Sequence, residues 1–154
     1  DSASGDIAYL PDNSVRFNDS HDPQVHADGT VLFYDNDGWP SHMGGENNGD
    51  LHSRVVEYAL DETSKQATLT WEFPGSFDVD PWYTNDWSTP IWGDADRLEN
   101  GNVLVTAGIR GAGTHTRIFE VTRAGEVVWG FEWPENNGSY RANRLSPAPA
   151  TRIP

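Results

Sequence analysis

Residues 22–33, DPQVHADGTVLF, are repeated in residues 94–105, DADRLENGNVLV, and this pair of stretches decides the fold. Each stretch reads as a short strand, a tight turn at a glycine and an apolar strand. The dipeptides Asp28-Gly29 and Asn100-Gly101 predict two-residue hairpin turns, because aspartate, asparagine and glycine tolerate positive φ. A fixed repeat indicates that both copies fold in the same way.

The segments that follow are repeated as well. Residues 54–58, RVVEY, match residues 117–121, RIFEV, and residues 69–73, LTWEF, match residues 127–131, VVWGF. Alternation in the last pair predicts half-buried strands whose large residues share one face. These residues are Leu69, Trp71 and Phe73 in the first strand, and Val127, Trp129, Phe131 and Trp133 in the second. No stretch has helical periodicity of useful length.

Each repeat therefore contains four antiparallel strands in meander order, which is the plan of a propeller blade. We predict an all-β chain that forms a partial β-propeller of about two four-stranded antiparallel blades. The predicted organisation is outer strands of a preceding blade at 1–17, a blade at 18–75, an aromatic loop at 76–92, a blade at 93–134, and the start of a next blade with a proline-rich tail at 135–154.

Two blades do not close a ring, because closed propellers have about four to eight. Two blades alone would also expose sheet faces rich in tryptophan. We therefore expect the ring to be completed by an N-terminal portion, by another chain or by further copies of this chain.

Composition restricts the partners and the compartment. The chain has 154 residues, 24 acidic and 10 basic side chains, and a formal net charge of −14. This charge argues against nucleic acid and an anionic membrane surface as partners. The apolar runs are far shorter than the roughly 20 residues that span a bilayer. A chain that starts at Asp1, lacks cysteine and is rich in acid is compatible with export, so we expect an extracellular or periplasmic and halophilic protein.

His21 is the strongest candidate for chemistry, since no cysteine is present and no other side chain is a ready nucleophile. It begins a predicted innermost strand, and Gly93 and Tyr140 occupy the equivalent repeat positions. Innermost strands line the channel of a propeller, so we expect His21 to point toward the axis. A capping or turn histidine is the alternative interpretation.

Four segments together resemble the arylsulfotransferase family: 17–22, FNDSHD, 33–36, FYDN, 52–58, HSRVVEY, and 93–105, GDADRLENGNVLV. Family members similarly contain Gln-His-Asp, a hairpin, Phe-Asp-Asn-Gly, Ser-Arg-Val-Val-Glu-Tyr and a Gly-Asp strand that ends in Asn-Gly-Asn. The resemblance covers about residues 17–145 and the C-terminal half of such a protein. Ser20 replaces the usual glutamine, Tyr34 interrupts Phe-Asp-Asn, and the family's upstream Trp-x-His-x-Asn segment has no match here.

The resemblance implies a six-bladed propeller that transfers sulfate from a small phenolic sulfate ester to another phenol without a nucleotide cofactor. It also implies that His21 becomes transiently sulfated. Arg54 matches the family's Ser-Arg pair and is the second catalytic candidate, with a structural role between strands as the alternative. Without further blades to complete the ring, and with a net charge of −14 that opposes an anionic substrate, we expect the 154-residue chain alone to be inactive.

Other candidate residues lie in the loops. The candidates for substrate binding are Trp82, Tyr83 and Trp87. The alternative function is that of a non-catalytic secreted module that assembles with partners or binds sugars by stacking on these rings. Asp35 and Asp37 resemble the first half of a calcium loop, but no glutamate stands at its twelfth position. We expect no other cofactor. Asp94 and Asp96 are spaced for one strand face, where solvent or cross-strand partners are the usual environment.

Overall fold

A computed structural model of the chain describes residues 20–36, 53–74, 89, 91–108, 116–133 and 137–145. These residues form two antiparallel four-stranded sheets, each in meander order. The first sheet contains β1 (His21–Val25), β2 (Thr30–Asp35), β3 (Arg54–Asp61) and β4 (Gln66–Pro74), and the second contains β5 (Asp94–Arg97), β6 (Val103–Ala107), β7 (Arg117–Val121) and β8 (Val127–Glu132). The prediction of an all-β chain with two four-stranded blades is confirmed. Within these ranges, no helix is long and apolar enough to cross a membrane.

The turns within the repeats differ from the predicted two-residue hairpins. In the first turn the His26 N–H donates to the Thr30 carbonyl and the Gly29 N–H donates to the His26 carbonyl, so three residues lie between the bonded pair. Gly29 has a φ of 82°, whereas Asp28 does not have a positive φ. The hairpin therefore has a three-residue loop, in which only the last residue, Gly29, is in the left-handed conformation. The turns at Gly101 and Gly125 have the same two hydrogen bonds, with φ values of 85° and 87°.

The two sheets pack against each other and bury a common apolar core. The first sheet contributes Leu32, Tyr34, Val55 and Phe73. The second sheet contributes smaller side chains for the most part, namely Ala95, Val103, Val105, Ala107, Phe119 and Val121. Large rings from one sheet thus fill the space over small residues of the next, as close packing requires.

A bulge changes the faces predicted for β4. The register shifts between Glu57 and Tyr58, so Trp71 lies opposite Glu57 and Leu69 lies opposite Tyr58. Consecutive residues of a strand point to opposite faces, and Leu69 consequently packs in a separate cluster with Phe33, Val56 and Tyr58. The prediction that Leu69 shares a face with Trp71 and Phe73 is wrong for this reason.

The second sheet has a bulge at the equivalent place. Its register shifts between Glu120 and Val121, so Val127 lies opposite Val121 while Trp129 lies opposite Glu120. Val127 packs against the core between the sheets, and Trp129 points to the other face. The prediction that Val127 and Trp129 share a face is therefore also wrong.

The second sheet presents an outer face that corresponds, residue by residue, to the face of the first sheet that is packed. This outer face contains Leu104, Ile118, Glu120, Trp129 and Phe131, the repeat equivalents of Leu32, Val55, Glu57, Trp71 and Phe73. Phe73 is 5% exposed, whereas Phe131 is 42% and Trp129 is 48% exposed. The outer face thus has the side chains of a blade interface without a complete blade covering them.

An ion pair between the sheets is repeated on this outer face. Glu57 pairs with Arg97 of β5 and, at 2.7 Å, with Arg123 of the turn after β7. Glu120 pairs in the same way with Arg144, the repeat equivalent of Arg97. Burial by itself would raise the pKa of Glu57, but hydrogen bonds from the two arginines lower it overall. Segment 137–145 therefore contacts the second sheet as β5 contacts the first.

Candidate functional site

His21 is the first residue of β1 and pairs with Tyr34 of β2. Its Nδ1 atom lies 2.6 Å from Oδ1 of Asn36, which follows the end of β2. The ring is half-buried and Asn36 is buried, so the hydrogen bond is protected from water. The strand pairing thus brings a histidine and an amide together across two strands.

The orientation of the Asn36 amide is fixed by its other contacts. Its Nδ2 group donates to the backbone carbonyls of Thr89 at 2.7 Å and Trp92 at 2.6 Å. Ser53 fixes Thr89 in turn, since its hydroxyl accepts from the Thr89 N–H at 2.8 Å. An inverted amide would place its oxygen against two carbonyl oxygens, so Oδ1 has to face His21 and accept from Nδ1–H. In a neutral His21 ring the lone pair is therefore on Nε2.

One aromatic ring lies beside His21, and a second ring packs against the first. The centroid of Tyr140 is 6.1 Å from that of His21 with edge-on geometry, and Trp92 contacts Tyr140 in a similar way at 6.1 Å. Gly93 has a φ of +130°, and a Cβ atom there would lie 2.7 Å from Cε1 of Tyr34. No larger residue fits this position without displacing Tyr34. The three residues at matching positions of the repeat thus lie close together in space: His21, Gly93 and Tyr140.

Arg54 lies on β3, separated from the strand of His21 by β2. Its Nε atom is 2.9 Å from the buried Asp35 carboxylate, and its Nη1 atom is 3.0 Å from Glu72 of β4. Burial opposes the charge of Arg54, but the hydrogen bond and charge of Asp35 raise the pKa of the guanidinium overall. The described contacts are those of a cross-strand ion pair, and they leave Asp35 bound to an arginine.

A group of carboxylates, the acidic cluster, adjoins His21 and consists of Asp22, Asp94 and Asp96. One oxygen from each lies within 4.8 Å of the others. Asp22 takes a φ of 51° in the bulge of β1, and its carboxylate pairs with Arg141. Arg141 Nε is also 3.5 Å from Oδ1 of Asp94. The cluster joins β1, β5 and segment 137–145.

Asp94 is the least solvated member of the acidic cluster, with 1% of its surface exposed. Burial and the neighbouring Asp96 carboxylate raise its pKa to about 7, although the backbone amides of Ala142 and Ala95 offset part of the rise. Gln24 donates to Asp22 at 2.9 Å and also to Asp96, while Asn143 donates to Asp96 at 3.2 Å. Asp94 is thus the carboxylate whose charge is least compensated.

Sequence comparison decides the family to which this site belongs. The family model described as Arylsulfotransferase (ASST) matches residues 12–141, which include His21, Asn36, Arg54 and the acidic cluster. The chain belongs to the arylsulfotransferase family. No curated protein gives a significant match.

In this arylsulfotransferase-family chain several predicted site residues lie outside the described residues. These are Trp82, Tyr83, Trp87 and Asp37, and their roles stay predictions. The structure brings His21 close to Asn36, Tyr140 and Asp22, and it places Arg54 in a separate ion pair.

The sequence alone does not predict the contacts of two residues of the candidate site, Asn36 and Asp94. Asn36 was noted only as part of a motif, although a polar residue directly after a buried strand is a recognisable signal for a long-range hydrogen bond. Sequence spacing predicts solvent or cross-strand partners for Asp94, but it does not predict that this residue is buried. Its neighbours belong to other strands and could not be read from spacing.

Proposed function

We propose that this chain forms part of an arylsulfotransferase propeller in which His21 accepts the sulfuryl group from a phenolic sulfate ester. The observation that carries the proposal is the 2.6 Å contact between His21 Nδ1 and the fixed Oδ1 of Asn36. In a neutral ring this contact keeps the proton on Nδ1, so the Nε2 lone pair is the nucleophile. Membership of the family supports the reaction class.

The proposed transfer proceeds in two displacements at sulfur. Nε2 of His21 forms a bond to sulfur while the bond from sulfur to the phenolic oxygen breaks, and phenolate leaves with that electron pair. A second phenol then passes its proton through solvent to the released phenolate, and its oxygen forms a bond to sulfur while the N–S bond breaks and returns the pair to Nε2. The ring ends neutral with its proton still on Nδ1, so the cycle consumes no co-reactant.

Asn36 contributes more to the sulfated state than to the resting state in this proposal. The imidazole ring becomes cationic when Nε2 bonds to sulfur, and a hydrogen bond from a charged donor is stronger than one from a neutral donor. The buried Oδ1 is oriented in advance for that charge, which is the form of electrostatic catalysis that costs no reorganisation. Arg54 is held by Asp35 and Glu72, so we do not expect it to be a donor for the sulfuryl oxygens.

We also infer that activity requires the missing blades. Support comes from the outer face of the second sheet, where Trp129 is 48% exposed although its repeat equivalent Trp71 packs against the core. The blades can come from an N-terminal portion, another chain or further copies of this one. Until the ring is complete, a phenolic sulfate faces a chain with a net charge of −14 and an open site.

The test measures transfer from 4-nitrophenyl sulfate to an acceptor phenol in the assembled ring and in the 154-residue chain alone. We expect turnover only in the ring, and loss of turnover in His21→Ala. His26→Ala, in the same hairpin, is the matched control and should retain transfer. Incubation with donor alone, followed by an alkaline quench, should add the mass of one SO₃ group to the peptide that contains His21. Full transfer by His21→Ala would refute the proposal.

A further inference from the structure

We propose that Asp22, Asp94 and Asp96 form a binding site for one calcium ion, which links β1, β5 and segment 137–145. The inference does not depend on sulfate transfer, because it concerns carboxylates that the proposed displacement does not use. It also differs from the loop of Asp35 and Asp37, where Asp35 is bound to Arg54.

The spacing of the acidic cluster suits a calcium ion. One carboxylate oxygen from each aspartate lies within 4.8 Å of the other two. Calcium takes oxygen ligands at about 2.3–2.6 Å, so two oxygens on one ion can be separated by up to about 5 Å. A single ion between these three oxygens therefore requires little movement of the strands.

A second observation, independent of the spacing, is the state of Asp94. The carboxylate is 1% exposed, and neither oxygen has a hydrogen bond of normal geometry from the described part of the chain. The nearest cation is Nε of Arg141, 3.5 Å from Oδ1. A buried carboxylate with no hydrogen bond of normal geometry is costly, and a metal ion is one of the few ligands that satisfies both oxygens.

Charge within the cluster also favours a divalent cation. Three carboxylates face one guanidinium, that of Arg141, which pairs with Asp22 and is 45% exposed. One calcium ion would neutralise the charge that remains after Arg141 has paired with Asp22.

Neutral oxygens for the remaining coordination positions are already at the cluster. The side-chain amides of Gln24 and Asn143 donate to its carboxylates through their nitrogen atoms. Rotation of either amide would present an oxygen instead, because the two ends of the group are similar in size. An all-oxygen set is typical of calcium rather than of zinc, which prefers nitrogen and sulfur.

The test is a calcium titration of the full chain after treatment with EDTA, followed by calorimetry and by thermal unfolding. We expect one saturable site with a Kd of about 10⁻⁵ to 10⁻³ M, and a Tm that rises with calcium concentration. Asp94→Asn and Asp96→Asn should each lose this site. Arg141→Gln should bind calcium more tightly, because the competing guanidinium is absent.

Asp61→Asn, a change at an exposed turn, is the control for weak binding to an acidic surface and should leave the site intact. The proposal fails if wild-type protein shows no saturable binding and no change in Tm up to about 10 mM calcium. It also fails if Asp61→Asn loses as much binding as Asp94→Asn. Both outcomes are read without a sulfotransferase assay, so they leave the role of His21 untouched.

Discussion

Glu57 and Glu120 occupy the same position in successive sheets, and each accepts an arginine from the unit that follows it in sequence. Arg97 belongs to β5, and Arg144 belongs to segment 137–145. Because the second pair reproduces the first, segment 137–145 lies where the innermost strand of another blade is expected. The repeat in contacts therefore continues from the two complete sheets into segment 137–145.

The pair at Glu57 is expected to stabilise the contact between the sheets. Glu57→Gln removes the charge that faces Arg97 and Arg123, and we expect the free energy of unfolding to fall by about 2–3 kcal/mol. Urea unfolding followed by tryptophan fluorescence measures the change. Glu62→Gln, at an exposed turn, should change stability by less than about 0.5 kcal/mol. Equal effects of the two substitutions would contradict a role for Glu57 between the sheets.

Two phenylalanines at equivalent repeat positions should respond differently to truncation. Phe73 is 5% exposed in the core between the sheets, and Phe73→Ala should cost about 3–5 kcal/mol of unfolding free energy. Phe131 is 42% exposed, and Phe131→Ala should cost less than about 1 kcal/mol in the isolated chain. In an assembled ring the cost of Phe131→Ala should approach that of Phe73→Ala. A small cost in the ring would show that no blade covers the outer face.

Asn36 should determine the tautomer of His21. In the wild-type chain the nitrogen chemical shifts of the neutral ring should place the proton on Nδ1, since Oδ1 of Asn36 can only accept. Asn36→Ala should move the population toward the Nε2–H form, and two-dimensional ¹H–¹⁵N NMR of the ring measures the shift. Asn102→Ala is the control, because Asn102 donates to Glu120 rather than to the site. An unchanged tautomer in Asn36→Ala would rule out the positioning role.

Asp94 should make stability depend on pH. Its pKa is raised from 3.8 to about 7, so between these values the folded chain holds a proton that the unfolded chain has released. Stability therefore falls as pH rises through this window, and the loss from this group is complete above about pH 7. Asp94→Asn carries no such proton and should lack this part of the dependence. Urea unfolding from pH 4 to pH 8 in EDTA measures both, and parallel curves would contradict the assignment.

Much of the fold could be predicted from the repeat, because residues at matching positions make matching contacts in both sheets. The alternation of Leu69, Trp71 and Phe73 failed as a guide to faces, since one bulged residue reverses every side chain beyond it. No local pattern marks that bulge. The hairpin turns were located correctly at Gly29 and Gly101 but were one residue longer than predicted.

The candidate site was less predictable than the fold. His21 could be selected by its residue type and by resemblance, whereas its partner Asn36 is fixed by the carbonyls of Thr89 and Trp92 from a distant part of the chain. Arg54 illustrates the opposite difficulty, because a motif match does not reveal that Asp35 and Glu72 bind its guanidinium. Spacing in sequence does not encode contacts of this kind.

Because each sheet has a bulge between its last two strands, the two halves of the last strand pack their large side chains on opposite faces of the sheet. In β4 the residues before the bulge, such as Leu69, pack on one side, and those after it, such as Phe73, pack on the other. A substitution early in β4 therefore weakens packing on one face of the sheet, and a substitution late in β4 weakens packing on the opposite face. In a closed ring of such sheets, the half of the strand that is altered would decide which of the two adjacent blades loses its contact.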